Sequence, residues 1–181
     1  LSQNSKLKDA AQKVMLSEGV GAGGSRLVTG SRPIHKKLEE ALSEWLGFEK
    51  VLLFPSGFQA NLAAVSTLAN RHTPIIADKF IHHSLLIGIK ASGAKVKRFT
   101  HNNIEDLERL IKISCVQHPD QTPLVITESL FSMEGTSPDL YKIASLCKRH
   151  KVMLFVDEAH ALGVLGSQGK GLCHGLPEPV T

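Results

Sequence analysis

The chain has 181 residues, 42% hydrophobic and 21% charged, which is enough apolar material for a sizeable core and excludes a disordered or low-complexity protein. Its formal net charge of +4 comes without a dense basic run interleaved with aromatics, so nucleic acid is not an expected partner. No apolar stretch reaches the length of a bilayer span, and three widely spaced cysteines, Cys115, Cys147 and Cys173, fit a reducing cytoplasm better than a disulfide framework.

The first residues, Leu1 to Lys6, carry neither an initiator Met nor a signal-peptide core, and the chain is expected to be part of something longer. Ser5 is expected to cap a first helix with Leu7, Ala11, Val14 and Leu16 near helical spacing and Gly19 at its end. A glycine-rich loop follows. Ser31 and Pro33 open a second helix carried by Ile34, Leu38, Leu42, Trp45 and Leu46 and stopped at Gly47. Val51-Leu52-Leu53-Phe54 reads as a buried strand, Pro55-Ser56-Gly57 as a turn, and Asn61 to Val65 as helix. Residues 74–77 form a strand ending at Asp78, His82 to Ile89 a helix, and residues 95–99 another strand. Asn102 or Asn103 caps a helix with Ile104, Leu107, Leu110 and Ile111 on one face. Residues 124–127 read as a strand ending at Glu128, and Pro138 begins a helix that turns Leu140, Ile143, Ala144 and Cys147 inward. A strand at residues 152–156 ends in Asp157, with His160 three residues on, and a loop-like tail closes the chain at 177–181. Short buried strands alternating with amphipathic helices predict an α/β fold, a mostly parallel sheet flanked by helices.

The ends of such strands open into the crevice where α/β proteins hold ligands, which singles out Asp157 and His160. Ordinary alternatives are a turn cap for the acid and a hydrogen-bonded loop histidine. Ser56-Gly57-Phe58 lies where a strand turns into a helix, so free backbone N–H groups there suit a phosphate. His82 and Ser132 each follow a strand; either alone reads as a capping residue. The convergence of Gly57, His82, Ser132, Asp157 and His160 from four successive strand ends is what marks a site.

Three other motifs fail on context. Gly19, Gly21 and Gly24 satisfy G-x-G-x-x-G but lack the strand before and the helix after that dinucleotide binding needs; close backbone approach to a ligand or a second subunit is a better use for these glycines. Asp157-Glu158-Ala159-His160 matches a helicase box, yet no phosphate loop precedes it, and Gly166 to Lys170 follows it without the hydroxyl residue. The nine histidines and three cysteines include no Cys-x-x-Cys or His-Glu-x-x-His, and the adjacent His82 and His83 diverge, so no metal is expected.

Taken in order, residues 21–30, 56–61, 78–85, 127–135 and 156–160 resemble the α-oxoamine synthases, pyridoxal-phosphate enzymes of fold type I. The resemblance implies a pyridoxal-phosphate transferase-like large domain over residues 31–181, incomplete and without a C-terminal domain, preceded by a helix and glycine-rich loop at 1–30. It implies pyridoxal 5'-phosphate as cofactor. Asp157 would pair with the pyridine nitrogen and His82 would stack on the ring and contact substrate. His160 would hydrogen-bond the phenolic oxygen, Ser132 would be a polar contact, and the backbone at Gly57 and Phe58 would border the site with the phosphate at the helix start. The implied reaction is a decarboxylative condensation. The 24–30 loop favours the family branch that joins L-alanine to a pimeloyl thioester, of CoA or carrier protein, in biotin formation; glycine- or serine-using branches and a non-catalytic dimerisation subunit are the alternatives. A cytoplasmic homodimer is expected. The family's Schiff-base lysine is expected beyond Thr181. Lys170 falls in a different family segment, so this polypeptide alone is expected to be inactive.

Overall fold

A computed structural model describes residues 1–176; the predicted tail at 177–181 lies outside the described residues. The chain separates into two compact units, Leu1–Leu52 and Leu53–Thr181.

The first unit holds α1 (Ser5–Glu18) and α2 (Pro33–Leu46). Both follow the sequence closely, except that the α1 cap is Asn4, whose side chain accepts the Leu7 N–H, rather than Ser5. Gly47 ends α2 in the left-handed region that a Cβ would disfavour. Between the helices the glycines let the loop close on itself. A Cβ on Gly30 would fall 1.8 Å from the Gly24 carbonyl oxygen, and the Gly30 N–H donates to Ser25 O at 2.8 Å. Arg26 grips Glu39 through both guanidinium ends, at 2.7 and 3.1 Å, tying the loop to α2.

The second unit is an α/β layer structure. In chain order it runs α3 (Gly57–Leu68), β1 (Ile75–Asp78), α4 (His83–Ser92), β2 (Val96–Phe99), α5 (Ile104–Gln117), β3 (Leu124–Glu128), α6 (Leu140–His150) and β4 (Met153–Asp157). The four strands are all parallel, in the order β2-β1-β3-β4. Side-chain alternation sends Ile75, Ala77, Leu124, Ile126 and Phe155 into one core with Val65, Leu85 and Ile89 of α3 and α4. Ile76, Val125 and Leu154 point the other way, into a core with Leu107, Ile111, Ile143 and Cys147 of α5 and α6. Each fully buried aliphatic side chain contributes roughly 1.5–3 kcal/mol. Among the described residues no helix is long and apolar enough to cross a membrane.

One predicted element does not form. Residues 51–54 make no strand, and Leu52 and Phe54 stand exposed. Hydrophobicity makes a strand possible, but only a neighbouring backbone ladder makes one, and none of the described strands pairs with this segment.

The chain leaves β1 for β2 on one side and returns past β1 to β3 on the other. That reversal places a crevice at the carboxyl ends of β1 and β3, where open parallel sheets bind ligands.

Candidate functional site

A cavity of about 310 Å³ opens at these carboxyl ends. Gly57, Phe58, His82, Asp157 and His160, all singled out by sequence, line it together with Ala60, Asn61, Ser84, Glu128 and Ala159. A larger hollow of about 490 Å³, lined by Arg71, Lys95, Lys97 and His118, lies at the strands' amino ends, away from every strand-end carboxylate. Ser132 does not line the cavity described here; it is exposed on a loop after β3.

Each lining group is placed by its element. Ser56 caps α3 by accepting the Gln59 N–H at 3.3 Å, leaving the first-turn N–H groups of Gly57 and Phe58 outside the helical ladder. No atom lies within 4 Å of where a Gly57 Cβ would sit, so a ligand can approach this helix start closely. Asp157 ends β4 with both carboxylate oxygens engaged. Oδ1 accepts the Ala159 N–H at 2.8 Å, and Oδ2 accepts Asn61 Nδ2 at 2.6 Å.

Asn61 is the centre of a chain of hydrogen bonds that the sequence did not reveal. Its amide also donates to Ser84 Oγ at 3.0 Å. Ser84 in turn lies 2.7 Å from His82 Nδ1, which also accepts the Ser84 N–H at 3.3 Å. With Ser84 Oγ accepting from Asn61, its hydroxyl proton goes to His82 Nδ1. The proton of the neutral imidazole is therefore on Nε2, and Nε2–H is the group that His82 offers.

Glu128 is the third residue missed, after Asn61 and Ser84. It sits at the end of β3, 5% exposed, beside Asp157 in strand register, and accepts the His82 N–H at 2.5 Å. Burial pushes its carboxyl up from 4.5 to about 7, with the neighbouring charges of Asp157, Asp78 and Glu134 acting in the same direction and the His82 N–H opposing. The signal was present: an acid closing an apolar run, as at Asp157 and Asp78. Asn61 and Ser84 carried no such mark, because each is an ordinary helix residue until α3 and α4 pack together.

The arrangement combines a helix start open to an anion, an oriented carboxylate, and an imidazole of fixed tautomer around one hollow. A pyridoxal phosphate fits these donors and acceptors. Its phosphate matches the α3 N–H groups, its protonated ring nitrogen matches the Asp157 carboxylate, and the cavity has the size of small-cofactor sites.

The family model for aminotransferase class I and II matches residues 1–176. The chain is 42% identical over 173 residues to an 8-amino-7-oxononanoate synthase of Photobacterium profundum, covering 96% of this chain and 44% of that protein. A Salmonella schwarzengrund protein of the same name is 41% identical over the same shares. Among solved structures, a serine palmitoyltransferase from S. paucimobilis with bound PLP-myriocin aldimine superposes with a TM-score of 0.92 at 30% identity, covering 98% of this chain and 46% of that one. An 8-amino-7-oxononanoate synthase from Francisella tularensis superposes at 0.78 with 32% identity, covering 97% and 47%. The chain thus spans less than half the length of these relatives.

Proposed function

The chain belongs to the aminotransferase class I and II family, in its α-oxoamine synthase group, and from that premise we propose that it forms the cofactor-binding part of a pyridoxal-phosphate C-acyltransferase. The proposed reaction of the whole protein is decarboxylative condensation of L-alanine with a pimeloyl thioester to give 8-amino-7-oxononanoate, as the name shared by relatives 41–42% identical suggests. The observation that carries the reading is Asp157, held by Asn61 at the floor of the cavity that His82 also lines.

Pyridoxal phosphate supplies, when bound, an electron sink for a carbanion at the substrate Cα. The chain's own residues do the rest. Asp157 holds a proton on the ring nitrogen, and Asn61 and the Ala159 N–H keep that carboxylate from rotating away. The Gly57 and Phe58 N–H groups take the phosphate at the α3 start. His82, on the cavity wall, would stack on the ring face and offer its Nε2–H to the substrate. His160, on the cavity wall, would supply a hydrogen bond to the phenolic oxygen. We assign residues 31–181 to the large domain of a cytoplasmic homodimer.

Full-length protein incubated with pyridoxal phosphate should develop a visible absorbance band that borohydride removes. Given alanine and pimeloyl-CoA, or the pimeloyl carrier protein, it should release 8-amino-7-oxononanoate, detected by mass spectrometry. Asp157→Ala should abolish turnover. Product formed only from glycine or serine would move the assignment to another branch of the group, and near-normal activity of Asp157→Ala would refute the role of that carboxylate.

A further inference from the structure

We propose that His101, outside the cavity, is a positioning residue that holds two loops at the carboxyl edge of the sheet at once: the turn that delivers His82 to the cavity and the loop after β3 that carries Ser132. The inference rests on the cofactor-site reading above. It starts from Asp78, the fully buried acid at the end of β1. Asp78 Oδ1 accepts the Phe80 N–H at 2.8 Å and His101 Nδ1 at 2.9 Å, while Oδ2 accepts the Asn102 N–H at 3.0 Å. Three donors satisfy a carboxylate that has no access to water. The Phe80 bond folds residues 78–82 into the turn whose last member, His82, then bonds Glu128.

The other ring nitrogen works in the opposite direction. A carboxylate only accepts, so His101 Nδ1 carries a proton, and in the neutral imidazole Nε2 accepts the Thr136 hydroxyl at 2.8 Å. Thr136 closes the loop that contains Ser132: the Phe131 N–H donates to Thr136 O at 2.9 Å, and the Gly135 N–H donates to Phe131 O at 2.9 Å. The ring itself is flanked by Phe80 and Phe131, with centroids 4.7 and 4.5 Å away, one aromatic from each loop. Asn102 next to it adopts a left-handed φ of +55°, which side chains rarely take, while its N–H meets Asp78. A histidine that merely filled space would not need both nitrogens and both aromatics directed at the same two loops.

The test uses full-length protein and three variants. Thr136→Val keeps the shape and removes the hydroxyl; Thr136→Ser keeps the hydroxyl; His101→Asn keeps a donor for Asp78 and loses the acceptor for Thr136. In the protein without cofactor, Thr136→Val and His101→Asn should speed amide exchange at Phe131 and Gly135 by roughly five- to tenfold, the loss of one hydrogen bond, with α5 and α6 unchanged. Thr136→Ser should exchange at the wild-type rate. Pyridoxal-phosphate affinity should fall in His101→Asn by a similar factor, and should stay at the wild-type value in Thr136→Ser. Wild-type exchange at both amides, exchange raised equally throughout the unit, or wild-type affinity in His101→Asn each overturns the proposal. Unchanged affinity in Asp157→Ala marks instead a failure of the cofactor reading, and the exchange rates then still decide whether His101 holds the loops.

Discussion

Glu128→Gln is expected to leave stability unchanged in acid and to raise it at neutral pH and above. The folded carboxyl titrates at about 7 against 4.5 for the free group. Below about pH 4.5 the folded and unfolded chains both hold the proton, and the residue contributes nothing to the balance between them. From there to about pH 7 the unfolded chain releases the proton and the folded chain keeps it, so rising pH favours unfolding. The interval is about 2.5 pH units at about 1.4 kcal/mol each, a loss of about 3–4 kcal/mol that is complete above about pH 7. Glutamine has no proton to release, and its carbonyl still accepts the His82 N–H. Urea unfolding of both proteins at a series of pH values, followed by circular dichroism, reads the effect directly. The variant should match the wild type near pH 4 and exceed it by about 3–4 kcal/mol near pH 8. A difference that stays constant over that range would refute the argument that burial holds a proton on Glu128.

Three further outcomes follow from packing and exposure. Gly88→Ala would bring a Cβ within 2.9 Å of the Val65 Cβ and 3.1 Å of Asn61 O, so it should cost about 1–3 kcal/mol in thermal or urea unfolding and disturb the helix that carries Asn61. Lys151 ends α6 in the left-handed region at φ 54°; Lys151→Gly should stabilise by about 0.5–1 kcal/mol in the same assay. Burial pushes the Cys147 thiol up to about 12, so at neutral pH an alkylating reagent should modify the half-buried Cys115 well before Cys147, measured by peptide mass spectrometry.

Much of the architecture was legible because the strands are short apolar runs closed by acids and the helices carry their own caps. β1, β3 and β4 were read nearly to the residue, as was α2 between Pro33 and Gly47. The apolar run at 51–54 carries the same local signal and forms no strand, since pairing is a property of two segments. In the site, Asp157, His82 and Gly57 were visible because position in a strand–helix repeat determines what reaches the crevice. Asn61 and Ser84 were not, because the bond between them spans 23 positions of sequence and depends on α3 meeting α4. Ser132 follows a strand end as expected, yet the loop between Phe131 and Thr136 closes on itself and keeps it off the cavity wall.

The two margins of the sheet differ in a way that bears on handling the protein. β2 borders one margin and carries Lys97 and Arg98, charges that discourage another strand from adding there. β4 borders the other, and its residues Met153, Leu154, Phe155 and Val156 bear no charge before Asp157. Among the described residues β4 is laddered on one side only, by β3. Among the described residues the strand that ends in Asp157 is therefore the margin with less protection against a foreign strand. Light scattering of the 181-residue chain should show concentration-dependent association, relieved by Met153→Lys more than by a lysine added on β2.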